Sequence, residues 1–141
     1  MSTTRFFRLM LALILIPASL GAACGDSPTE PTTVPLGQPF DLRAGQSAVV
    51  PGGLKVTFDR VVSDSRCPLD AICVWAGEAV LALKLARGAE APVERELRAD
   101  SASPEISHLE YRIKAIRIAP YPRSNQKTPS EEFVATLSVS R

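Results

Sequence analysis

Few residues in this chain could carry covalent chemistry: three Cys, one His and one Trp among 141 residues. If Cys24 is acylated, as argued below, Cys67 and Cys73 remain as a pair. They stand in the densest stretch, Asp64-Ser65-Arg66-Cys67-Pro68-Leu69-Asp70-Ala71-Ile72-Cys73-Val74-Trp75-Ala76-Gly77-Glu78-Ala79. Five intervening residues let a turn close them into a disulfide in an oxidising compartment. A redox pair has two residues between its cysteines and a helix N-terminus to depress one thiol's pKa, and neither is present. A metal site from Cys67, Cys73 and His108 lacks a fourth ligand, because Met1 and Met10 lie in the signal. The expected bond is therefore structural. Closing so short a loop restricts the unfolded chain by about 2 to 2.5 kcal/mol, and its expected work is to hold a long inter-strand loop and aim Trp75.

Trp75 follows Cys73 by two positions, on the same side of an extended segment. The expectation is a core indole stacked on the disulfide, as in immunoglobulin-like domains; the alternative is an exposed platform for a ligand. Arg66 is expected to brace the loop through a bidentate pair with Asp64, or to pair with Glu78. Tyr121, between Pro120 and Pro122, is a contact residue or a lid at a sheet end. His108 is read as a solvent-exposed loop residue. Asp64, Asp70, Asp100, Glu105 and Glu110 have no spacing that marks an acid/base pair, and no Gly-x-Ser-x-Gly elbow singles out a nucleophile. No catalytic residue, metal or cofactor is assigned. A binding module would show its contacts on loops at one end, here Arg66, Leu69, Trp75 and Tyr121.

The elements that must position these residues are strands. Leu54-Lys55-Val56-Thr57-Phe58-Asp59 alternates apolar with polar, as a half-buried strand requires. Ala79–Leu85 is apolar nearly throughout, which suits a central strand or one with a partly covered second face. Leu109–Lys114 alternates, and the phase slips at Ala115-Ile116-Arg117-Ile118, predicting a bulge. In Phe133–Val139, Phe133, Ala135, Leu137 and Val139 share a face. Phe40–Leu42, Ser47–Val50 and Val93–Leu97 bring the total to about seven short strands. Turn signals separate them at Ala44-Gly45-Gln46, Pro51-Gly52-Gly53, Arg87-Gly88-Ala89, Ser103-Pro104 and Pro120-Tyr121-Pro122. The expected fold is all-β: a small antiparallel β-sandwich, immunoglobulin-like, over residues 40–141, with a partly closed β-barrel as the alternative.

The N-terminus reads as an export signal over residues 1–23: basic Arg5 and Arg8, an apolar run from Leu9 to Leu20, then Gly21-Ala22-Ala23. The run of 12 residues makes roughly 18 Å of helix, against a hydrocarbon core of about 30 Å, too short for a permanent span. Leu20-Gly21-Ala22-Ala23-Cys24 resembles the lipobox of bacterial lipoproteins, in which the signal is cut before the Cys and that Cys is acylated. The resemblance implies lipidation at Cys24 and a membrane lipid as partner. Gly21 stands where the lipobox usually has Leu, so cleavage by ordinary signal peptidase, leaving a soluble periplasmic or secreted protein, is the alternative. Residues 25–39 hold four prolines among Thr and Ser, so 24–39 is expected to be an extended tether of roughly 45 Å. By the same resemblance, Gly25 rather than Asp after the Cys implies the outer membrane or cell surface. Removing 1–23 takes away Arg5 and Arg8 and no acid, leaving 14 bases against 15 acids. This near-neutral balance offers no face for nucleic acid.

Asp-Ser-Arg-Cys-Pro at 64–68, Cys-Val-Trp-Ala-Gly-Glu-Ala at 73–79 and Pro-Tyr-Pro at 120–122 resemble a group of small, uncharacterised bacterial secreted proteins and lipoproteins, over about residues 40–141. The resemblance implies a compact disulfide-stapled domain and transfers no catalytic residue. The expected function is that of an exported, lipid-anchored envelope protein: a non-catalytic binding or structural module, with an envelope protein as possible partner. The alternatives are an envelope enzyme, an enzyme accessory subunit, or an inhibitor of secreted proteases.

Overall fold

A computed structural model describes residues 31–141; the expected signal, Cys24 and residues 25–30 of the expected tether lie outside the described residues. The chain forms β1 (Thr32–Thr33), β2 (Pro39–Arg43), β3 (Ser47–Val50), β4 (Leu54–Asp64), β5 (Ala79–Arg87), β6 (Val93–Ala99), β7 (Glu105–His108), β8 (Tyr111–Ala119) and β9 (Val134–Ser140). One sheet has the order β1-β3-β4-β5-β6 and the other β2-β9-β8-β7. They pack face to face as a sandwich and do not close into a barrel. All pairings are antiparallel except β1 with β3.

The alternation puts one face of each strand inside. Leu54, Val56 and Phe58 of β4 and Leu81, Leu83 and Leu85 of β5 meet Ile113, Ile118, Leu137 and Val139 of the facing sheet in one apolar core. β5 lies between β4 and β6, and its Ala82 is buried on the second face, which explains the apolar run. The phase slip in β8 is a register shift between Ala115 and Arg117. One extra residue there returns Ile118 to the core and leaves Ile116 exposed. β4 carries two further shifts, Phe58/Arg60 and Val61/Ser63, and none of its residues beyond Phe58 is buried.

Two boundaries differ from the sequence expectation. The sandwich starts at Thr32, inside the expected 24–39 tether: Thr32 and Thr33 pair with Ala48 and Val49, and Val34 is buried. Proline spacing alone could not reveal this, because a short strand is set by the edge it joins. Leu109 sits in the β7–β8 turn at φ 54°, so the strand begins at Tyr111, and His108 is the half-buried end of β7. Nothing among the described residues is a helix long and apolar enough to cross a membrane.

Candidate functional site

The loop between β4 and β5, residues 65–78, stands beyond one end of both sheets. Its arms extend the β4–β5 hairpin: Ser65 N–H donates to the Glu78 carbonyl at 2.9 Å and Cys67 N–H to the Ala76 carbonyl at 2.9 Å. Gly77 adopts φ 70°, and a Cβ there would collide with the Ser65 carbonyl; only glycine lets the arms approach so closely. Cys67 and Cys73 are disulfide-bonded, with Cα atoms 5.8 Å apart. The bond lies within this one loop and joins no two sheets.

Arg66 is the post on which the loop stands. Its side chain is fully buried. Nε donates to Asp64 Oδ1 at 2.8 Å and Nη2 to Asp64 Oδ2 at 2.7 Å, the bidentate brace expected from the sequence. Nη1 donates to the Ile118 carbonyl at 2.7 Å and Nη2 to the Pro120 carbonyl at 3.0 Å. Asp100 Oδ2 lies 3.5 Å from Nη1, and the guanidinium sits 4.6 Å from the Tyr121 ring centroid. Burial opposes the charge, but the hydrogen bond and charge of Asp64, with the charge of Asp100, outweigh it and raise the pKa above the ordinary arginine value. Arg66 is therefore a scaffold residue, and its burial removes it from the expected contact set. Glu78 pairs instead with Arg98, at 2.6 Å.

A second seam ties the loop to the segment after β8. Leu69 N–H donates to the Pro122 carbonyl at 3.0 Å. The backbone N–H and hydroxyl of Ser124 donate to Asp70 Oδ1 at 2.9 and 3.1 Å. The Ser124 backbone bond holds the Asp70 carboxyl below its usual range.

This bracing presents an apolar tip. Trp75 is 82% exposed, Ile72 104%, Val74 91% and Leu69 63%, and Tyr121 on the adjoining segment is 43% exposed. The expectation of a core Trp stacked on the disulfide is thus corrected. The loop projects past both sheets, so no core lies beneath the indole. Leu69, Trp75 and Tyr121 are exposed at one end. Sequence reasoning missed Ile72 and Val74, although apolar residues inside a small disulfide loop were a usable signal: so short a ring has no interior to bury them.

Three of the candidate carboxylates are engaged by other groups. Asp64 and Asp100 converge, but on Arg66, and Asp70 is committed to Ser124. Among the described residues no cluster of three or more His, Cys, Asp or Glu could hold a metal ion. A shallow groove of about 340 Å³ beside the loop is lined by Val61, Val62, Pro122, Lys127 and Phe133 with Asp64, and its one carboxylate is already paired. Compared with family models, curated proteins and solved structures, the chain matches none.

Proposed function

We propose that this protein is an exported, lipid-anchored cell-envelope protein, held through Cys24, and that it is a non-catalytic binding module whose contact surface is the 67–75 loop tip with Tyr121. The observation that carries the reading is an exposed apolar tip on a loop locked by a disulfide, a buried bidentate arginine and a second hydrogen-bonded seam. Exposed apolar clusters are costly in solution, and rigid presentation lowers the ordering cost of an encounter. The export pattern and lipobox resemblance support the address.

Two measurements test it. Intact mass of the protein from the membrane fraction is expected to show acyl chains on Cys24, with Cys67 and Cys73 alkylated only after reduction. An unacylated chain with three reactive thiols would refute the anchor and the disulfide together. A photo-crosslinking residue at Ile72 is expected to form adducts in intact cells, whereas one at Glu90, in the turn at the opposite end, is not. Equal labelling at both positions would remove the tip as the contact surface.

A further inference from the structure

The direction of β1 bears on what the tip contacts. β4 runs toward the tip, β3 is antiparallel to it and β1 is parallel to β3, so β1 runs away from the tip and its first residue is the end nearer the tip. Thr32 pairs with Ala48, whose neighbour Ser47 pairs with Thr57, which places Pro31 level with Thr57. From Thr57 to Asp64 the partner strand advances from Lys84 to Ala79, roughly 17 Å at about 3.3 Å per residue. The hydrogen-bonded arms carry the hairpin on to Cys67 and Ala76, about another 10 Å. The tip therefore stands roughly 27 Å above Pro31 along the strand direction.

Because the sandwich starts at Thr32, only seven residue steps separate Pro31 from Cys24, and these span at most about 25 Å. The greatest span of this leash matches the height of the tip above Pro31. A Cys24 held at a bilayer surface, with the leash continuing along β1, brings the tip to that surface.

The tip has the chemistry of an interfacial anchor. Leu69, Ile72, Val74 and Trp75 are exposed, and the one charge between Cys67 and Ala76, Asp70, is tied to Ser124. Indole prefers the headgroup boundary, and flanking Arg123 and Lys127, with no ion-pair partner among the described residues, suit anionic headgroups. We infer that the 67–75 tip docks into the bilayer that holds Cys24, so that the domain has a second, non-covalent foot and a fixed orientation on the membrane. This rests on the lipid-anchor reading above and names the partner of the same surface.

Trp75 is the chain's only tryptophan, so its fluorescence reports the tip alone. The mature chain as isolated is placed on phosphatidylethanolamine/phosphatidylglycerol vesicles, and its acylation is read by mass. The expected result is a blue-shifted emission, quenched by acyl-chain-brominated lipid and protected from iodide. Ile72→Asp/Val74→Asp should abolish the shift and the lipid quenching while acylation and melting temperature stay unchanged. An acylated chain whose Trp75 remains open to iodide and blind to brominated lipid overturns the docking and leaves the anchor intact. A shift that grows with protein concentration without lipid assigns the tip to a second copy and also overturns it. In an unacylated chain, lipid quenching would retain docking and refute the anchor alone; its absence would refute both.

Discussion

Arg66 and Trp75 are nine positions apart in one loop, and their environments are opposite. Arg66 has no exposed side-chain surface, whereas Trp75 is 82% exposed. Arg66→Ala would leave the Asp64 carboxylate without its counter-ion and the Ile118 and Pro120 carbonyls without a donor, at an expected cost of about 3 kcal/mol. Trp75→Ala should change stability by no more than about 0.5 kcal/mol, against 3 or more for a core Trp. Urea unfolding of both variants checks this; a Trp75→Ala loss as large as that of Arg66→Ala would mean that the indole is buried. The Asp64–Arg66 brace was legible because two positions along an extended segment lie on one side. The exposure of Trp75 was not, because it depends on where the sheets end relative to the loop.

At the scale of the element, the disulfide and the hydrogen-bonded arms act on the loop and leave the core to its own packing. Cys67→Ser/Cys73→Ser is expected to cost about 2 kcal/mol, with the β-sheet circular dichroism retained. Amide exchange should quicken at Leu69 and Ser124, the N–H groups of the seam. Unfolding of the whole sandwich on reduction would refute this division. The longer strands were legible from alternation, and the β8 bulge from its break in phase. β1 and β7 were not: Thr32-Thr33 and Glu105-Ile106-Ser107-His108 are too short for a pattern, and they are strands because β3 and β8 offer them hydrogen bonds.

Across the whole molecule, hydrogen bonds and ion pairs to surface carboxylates set the response to acid. Lys84 holds the Asp59 carboxyl below its usual range, the Ser124 backbone does so for Asp70, and Glu110 is lowered by its own backbone N–H and by Arg87. A carboxyl lowered in the folded state stabilises it above the unfolded-state pKa, and that contribution is lost as pH falls through the folded value. The melting temperature is therefore expected to hold down to about pH 5 and to fall below about pH 4, modestly and less so in high salt. A fall centred above about pH 5.5 would refute the assignment to these carboxylates. By itself the sequence determined what is local: the strand alternation, the closable Cys67–Cys73 spacing, the Asp64–Arg66 brace and the pattern of an export signal. Tertiary structure alone decided which loop outreaches the sheets, and that the sandwich begins at Thr32. It also brought Ile118, Pro120 and Ser124 against a loop some fifty positions earlier. Periodicity records which face of a strand is apolar, whereas exposure at a sandwich's end depends on the lengths and stagger of strands from both sheets, which are set only when they pack.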